Sequence, residues 1–230
     1  MTAVQHVGVV GAGLAGLAAS LAAAAAGLRV EVFEAAPRLP SVAAHMEIVP
    51  NLLRDLVTLC VADACVQRGF PYQGTDVVDA QGRVQFQIPA VHAAGPRYPA
   101  ALGMLYGDLA DILHAQGVQQ GVRFHWGAPV QDVEAGSGEG GLIRLVDGTH
   151  HRFDLVLLAA GADAVRLARP PFAMRRIDEA LPQAWWYALA PRPRALDRAT
   201  RVVGPGLDKV VLVPVGMRTA GVALLRSVPS

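Results

Sequence analysis

The chain has 230 residues, 53% of them hydrophobic and 17% charged, with a formal net charge of +1. That balance excludes a disordered chain, and the length allows one large domain or two small ones around a substantial core. Near-neutrality supplies no cationic surface, so no nucleic-acid partner is expected.

Residues 4–10, VQHVGVV, read as a short strand. Gly11, Gly13 and Gly16 follow as G-x-G-x-x-G, and 14–26 is an Ala-rich helix former that Gly27 stops. The apolar LRVEVF then reads as a second strand ending at Glu34. Strand, glycine turn, helix, strand and an acid about 20 residues on make a dinucleotide-binding fingerprint. Gly11 permits the tight turn, Gly13 lets a pyrophosphate approach the backbone, and Gly16 lets helix and strand pack closely. The helix N-terminus offers N–H groups to phosphate. Glu34 can accept hydrogen bonds from ribose hydroxyls and disfavours a 2′-phosphate, so NADP is not expected in this position. The motif leaves FAD and NAD open. Residues 7–28 are uncharged and long enough to span a bilayer, but they are mostly Gly and Ala. MTAVQH carries no Lys or Arg of a signal n-region. A buried strand and helix explain the run, and no membrane partner is expected.

Residues 51–66 predict one helix with an apolar stripe through Leu52, Leu53, Leu56, Val57, Leu59 and Cys60. Cys60 and Cys65 lack metal or redox spacing and read as small buried apolar residues of a reduced, cytoplasmic protein. A hairpin is expected over 76–88 around Gln81-Gly82, then a Pro-, Ala- and Gly-rich loop over 89–103 and a helix over 107–116. Residues 122–134 predict two strands broken at Gly127-Ala128-Pro129, and 142–153 a hairpin turning at Asp147-Gly148. The unbroken Leu155-Val156-Leu157-Leu158 suits a central parallel strand buried on both faces. From about 182 the signals are β only: 184–190, 201–203, 209–215 and 220–226. They suggest a separate antiparallel sheet.

The α/β pieces are thus split, with β-rich stretches between and after them. The expected organisation is a nucleotide-binding domain in two parts, 1–70 and 101–170, with a β insert at 71–100 and an incomplete antiparallel β domain at 171–230. Trp185 and Tyr187 should share one face of a strand and Trp186 the other, read as packing of the sheet core or as one wall of a substrate site. His150 and His151 point to opposite faces and cannot chelate together. The arginines between 166 and 201 read as a solvated sheet face, or as a docking patch for nicotinamide phosphates. No residue presents itself as an acid–base catalyst, so catalytic residues stay unknown, and no metal site is expected.

Several ordered segments resemble the single-component FAD-dependent aromatic hydroxylases. GAGLAG (11–16) with VEVFE (30–34) is similar to their ADP-binding start, Pro50-Asn51-Leu52-Leu53-Arg54 to their "PNALR" helix opening, and Tyr106-Gly107-Asp108-Leu109 to "R-A-D-L". DLVLLAAGADAVR (154–166) is similar to "DLVVGADGxxSxVR". Departures stand at Ala43-Ala44-His45-Met46, where the family has a glycine-rich loop beside the flavin, and at Tyr106, Ala164 and Leu167; the family's later "GDAAH" segment is absent from these residues. The resemblance implies an α/β fold: an FAD-binding Rossmann-like domain with a β-sheet substrate domain inserted. It implies FAD as cofactor, NADH or NADPH as co-substrate, and transfer of one oxygen atom from O2 to a small aromatic substrate. The implied cofactor-binding set is Gly11, Ala12, Gly13, Leu14, Ala15, Gly16, Glu34, Ala35, Val130, Gly161 and Asp163. His45 falls in the loop expected beside the flavin, with a plain loop histidine as the other reading. A truncated or decayed member that binds a nucleotide weakly without turnover is the alternative. Oligomeric state is not readable.

Overall fold

The computed structural model describes residues 3–39, 44–135, 140–168, 183–204 and 209–227. In chain order its elements begin with β1 (His6–Val10), α1 (Leu14–Ala25), β2 (Arg29–Glu34), β3 (His45–Ile48), α2 (Pro50–Thr58), α3 (Ala62–Arg68), β4 (Phe70–Tyr72), β5 (Gly74–Val78), β6 (Val84–Pro89) and β7 (Ala101–Leu105). There follow α4 (Tyr106–Gln119), β8 (Arg123–Trp126), β9 (Val130–Ala135), β10 (Gly141–Leu145), β11 (His150–Phe153), β12 (Leu155–Leu158), a 3-10 turn (Gly161–Asp163) and α5 (Ala164–Leu167). The last strands are β13 (Gln183–Pro191), β14 (Ala199–Val203), β15 (Lys209–Pro214) and β16 (Thr219–Ser227). No helix of the described residues is long and apolar enough to cross a membrane.

The chain divides into two compact units, Met1–Pro40 with Ala110–Asp178, and Ser41–Leu109 with Glu179–Ser230. The two units alternate along the sequence. The 50–68 helices and β7 group with the second unit, because β3 and β4 pair on either side of β7.

The first unit carries a four-stranded parallel sheet in the order β12-β1-β2-β8. A three-stranded antiparallel sheet, β11-β10-β9, packs against it. Val10 and Phe33 meet Val133, Ile143, Leu145, Phe153 and Leu167 in the core between them. Gly8 makes that approach feasible: a Cβ there would stand 2.6 Å from the Phe153 ring and 2.8 Å from Ile143. The hairpin at Asp147-Gly148 and the strand pair broken at Gly127–Pro129 form as expected. The expectation of a central, doubly buried strand at 155–158 is corrected. β12 is parallel, but among the described residues it lies at the edge of its sheet with Leu155 exposed. An apolar run reports the affinity of a strand for burial, not its place in the strand order.

In the second unit a six-stranded sheet runs β13-β16-β15-β14-β5-β6, and a smaller one runs β3-β7-β4. The C-terminal strands are antiparallel as expected. The sheet also takes in the 74–89 hairpin, however, through a parallel β14–β5 pair. The expected single helix over 51–66 is two helices. Cys60 adopts φ 58°, and its N–H reaches the Val57 carbonyl at 3.0 Å while the Val61 N–H reaches Leu56 at 3.0 Å. That pair of bonds is the Schellman ending, with cysteine where glycine is usual. It leaves Cys60 exposed and only Cys65 buried, correcting the expectation of two buried thiols. Burial pushes the Cys65 thiol up to about 11. His45 and Met46 of the loop expected at 43–46, and residues 101–103 of the loop expected at 89–103, lie in strands β3 and β7.

One buried polar group braces the first unit. The Glu31 carboxylate accepts from His6 Nε2 at 2.9 Å and His125 Nε2 at 2.8 Å, while Arg29 donates to His6 Nδ1 at 2.6 Å. With Nδ1 accepting, the neutral His6 ring carries its proton on Nε2, toward Glu31. Burial pushes the Glu31 pKa up, but the hydrogen bonds from His125 and His6 outweigh it and hold the carboxyl below its ordinary value. A lowered folded pKa stabilises above the unfolded value and ceases to as pH falls through the folded one. Glu31→Gln should therefore cost about 1–2 kcal/mol at pH 7 and flatten the loss of stability below about pH 4.3. Urea unfolding across pH checks this; parallel curves for the two proteins would contradict it.

Candidate functional site

Strands β1, β2 and β12 run parallel, so their C-terminal ends open at one edge of the first unit's sheet. The chain leaves β1 toward β2 on one side and returns as β12 on the other. The loops beyond β1 and β12 therefore diverge, and such a switch point is where open α/β sheets bind ligands. A cavity of about 440 Å³ lies there, within the roughly 300–1,000 Å³ of small-molecule sites.

The turn that forms its floor follows from the glycines. Gly11 adopts φ 99°, its N–H donates to the Phe33 carbonyl at 2.8 Å, and a Cβ there would come 2.6 Å from the Ala159 carbonyl oxygen. A Cβ on Gly16 would drive into the Gly11 carbonyl oxygen, so α1 can sit on the turn only without one. Gly13 differs. Its φ of −67° suits any residue, and a Cβ there would meet nothing within 4 Å. No packing contact calls for glycine at 13, though as the N-cap of α1 it is a better choice than Ala or Val, and a missing Cβ there also leaves room for a ligand to approach the backbone. No side chain caps α1 and no acid stands in its first turn, so its N–H groups remain available to an anion.

Glu34 closes the cavity from β2. Its Oε2 accepts the Ala12 N–H at 2.7 Å and its Oε1 the Ala36 N–H at 2.8 Å. Each oxygen keeps a lone pair for a further donor. Of the eleven residues expected at a cofactor, Gly11, Gly13, Glu34, Ala35, Val130, Gly161 and Asp163 line this cavity. Ala12 and Gly16 are buried beneath the turn, and Leu14 and Ala15 lie in the first turn of α1 without lining it. Among residues not singled out from sequence, Arg166 and Ala160 also line it. Arg166 pairs with Asp163 at 3.2 Å, an i,i+3 contact that the AGADAVR string could have suggested.

The second unit holds a separate cavity of about 250 Å³. Trp185 and Tyr187 line it on one face of β13, stacked at 6.1 Å and 15°. Each is about half exposed, at 49% and 51%, which corrects the reading of these rings as sheet core. His45 is not in a loop. It opens β3, is 8% exposed, and lies edge-on to Tyr187 at 5.6 Å. Its ring occupies the space over Gly221, where no Cβ could fit. Burial lowers the His45 pKa against the pull of Glu47. Glu47 accepts from Arg201 Nη2 at 2.9 Å and from the Tyr72 hydroxyl at 3.1 Å. Burial, with Glu47 beside it, pushes the Tyr72 phenol well above its usual range. Glu47, Tyr72 and Arg201 were not separable from sequence, since they stand far apart in the chain and each reads as an ordinary strand residue. Among the described residues no group of three or more His, Cys, Asp and Glu side chains is placed to hold a metal ion.

A family model for an NAD(P)-binding Rossmann-like domain matches residues 9–101, and one for flavin containing amine oxidoreductases matches 95–190. Aurachin C monooxygenase/isomerase of Stigmatella aurantiaca is 29% identical over 160 residues, 70% of this chain and 40% of that protein. Among solved structures, p-nitrophenol 4-monooxygenase PnpA of Pseudomonas putida DLL-E4 has a TM-score of 0.83 at 19% identity, covering 99% of this chain and 59% of that one. Klebsiella pneumoniae HpxO complexed with FAD and uric acid has 0.81 at 23% identity, covering 98% and 57%. The structural likenesses are likenesses of fold, and the chain spans less than two thirds of the length of these proteins.

The two turn glycines should separate in a stability test. Gly16→Ala should cost about 3 kcal/mol through overpacking, while Gly13→Ala should change stability by less than about 1 kcal/mol, because the stiffer unfolded chain and the poorer N-cap oppose each other. Urea unfolding measures both; a Gly16→Ala protein as stable as the parent would refute the close contact.

Proposed function

We propose, for a chain that belongs to the FAD-dependent aromatic monooxygenases, that the first cavity receives the adenosine diphosphate part of FAD. The protein then inserts one oxygen atom of O2 into a small aromatic substrate at the expense of NADH or NADPH. The observation that carries this is Gly13, a glycine whose missing side chain serves no packing need but faces open space at the uncapped start of α1.

The residues fit that ligand. The N–H groups of the first α1 turn face phosphate with the favourable end of the helix dipole. Glu34, held by the Ala12 and Ala36 N–H groups, is fixed in the orientation that lets its free lone pairs take ribose hydroxyls. Ala35 and Val130 give the flanks an apolar surface, while Asp163 and Arg166 set opposite charges at the far side. When bound, the flavin supplies the two-electron chemistry with nicotinamide and the activation of O2. The protein's part is to hold it and to present an aromatic ring, and the cavity bordered by Trp185 and Tyr187 suits a planar compound. A second reading, nucleotide binding without turnover, is favoured by Ala43, Ala44, Tyr106, Ala164 and Leu167, which depart from the family pattern.

Titration with FAD should quench flavin fluorescence with a dissociation constant in the micromolar range or below. Gly13→Val should weaken it by at least about a hundredfold, near 2.7 kcal/mol, in a protein that still unfolds cooperatively, the poorer N-cap costing it only about 1 kcal/mol. Substrate-dependent NADH or NADPH oxidation by the loaded protein separates the two readings. A parent protein that takes up no FAD overturns the first.

A further inference from the structure

We infer that the cavity of the second unit selects a neutral planar aromatic compound bearing a hydrogen-bond acceptor, held by His45, over an aromatic carboxylate; this rests on the monooxygenase reading and names its substrate class. The argument is one of charge. A cavity with an arginine in its wall would ordinarily suit a carboxylate through bidentate pairing. Here Arg201 Nη2 is already engaged by Glu47 Oε1 at 2.9 Å, and the other Glu47 oxygen is held by Tyr72. The Glu47–Arg201 pair sums to zero, and His45, its pKa lowered by burial, adds no charge at neutral pH. An entering anion would lose its hydration, meet no unpaired cation, and lie near the Glu47 carboxylate.

The hydrogen-bonding partner comes from His45. Its Nδ1 is buried with no partner, sealed where the ring covers Gly221. An orphaned N–H is costlier than an orphaned acceptor lone pair, so the neutral ring carries its proton on Nε2. That makes the histidine a donor in a residue that lines the cavity, where a ligand carbonyl or ring nitrogen would be its acceptor. Trp185 and Tyr187, 6.1 Å apart, are too close to admit a ring between them, so they form one continuous aromatic wall. The volume of about 250 Å³ limits the occupant to one ring or two fused rings.

The matched probes are 4-hydroxybenzamide and 4-hydroxybenzoate, equal in shape and different in charge, titrated calorimetrically into the full chain at pH 7.5. The amide should bind at least about tenfold tighter than the carboxylate, a difference of 1.4 kcal/mol. Glu47→Gln, which frees the Arg201 charge, should tighten the carboxylate about tenfold and erase or reverse the preference, whereas Arg201→Met should not tighten it. His45→Phe, of similar shape, should weaken the amide about tenfold. Melting temperatures of each variant show whether it folds. Equal or tighter binding of the carboxylate by the parent, no binding of either compound, or a folded Glu47→Gln protein with the parent's preference would each overturn the inference. FAD titration of the same preparation tells its failure from that of the reading beneath it. A protein that binds FAD but prefers the carboxylate loses only the substrate class, and one that prefers the amide but takes no FAD loses only the monooxygenase reading.

Discussion

The Glu34 carboxylate is the tie on which the first unit's cavity depends. Its two oxygens take the N–H groups of Ala12 and Ala36, one from the turn after β1 and one from the loop after β2. Both donors leave regular structure at these points and would otherwise be orphaned, at a cost of about 1–3 kcal/mol each when buried. Charge-assisted bonds to a carboxylate remove that cost and lock the two loops in register. The same acid therefore shapes the crevice and lines it. That is why a glutamate at the end of β2 serves the fold while still turning lone pairs to the cavity.

Close backbone approach is the second theme, and glycine is its means in both units. Gly16 lets α1 rest on the Gly11 carbonyl, and Gly8 admits Phe153 from the neighbouring sheet. In the second unit, Gly103 of β7 lies against Pro214 of β15, and Gly221 of β16 accepts the His45 ring. Each of these positions would be filled if it carried a side chain. Gly13 differs from these, since a Cβ there would meet nothing within 4 Å at the cavity edge.

In the second cavity the charged groups answer one another. An ion pair between Glu47 and Arg201 gains little over apolar packing once desolvation is counted. It leaves the Arg201 charge paired within the cavity wall. Tyr72 takes the second oxygen of Glu47, so the pair is held in one arrangement.

Local pattern makes much of this chain legible from its residues alone. The glycine turn with its flanking strands and helix, the Asp147-Gly148 hairpin, the break at Gly127–Pro129 and the β-only C-terminal stretch all arise from near neighbours, and they form where the residues predict. The seven cavity-lining residues among the expected set are legible for the same reason, since they sit at strand ends and turns with their own signatures. What lies beyond reach is set by contacts between distant segments. A run of four apolar residues looks the same at the edge of a sheet as at its centre, so the place of β12 is not encoded in its composition. Cys60 ends a helix by adopting a backbone conformation that its residue type does not announce. The glycine turn is written in its residues, because the steric demands at Gly11 and Gly16 and the reach of Glu34 act over short stretches of chain. Only the tertiary structure decided the second cavity, because pairing β3 with β7 and stacking both on β15 and β16 brings His45 and Glu47 beside Tyr187 and Arg201, residues that no local periodicity connects.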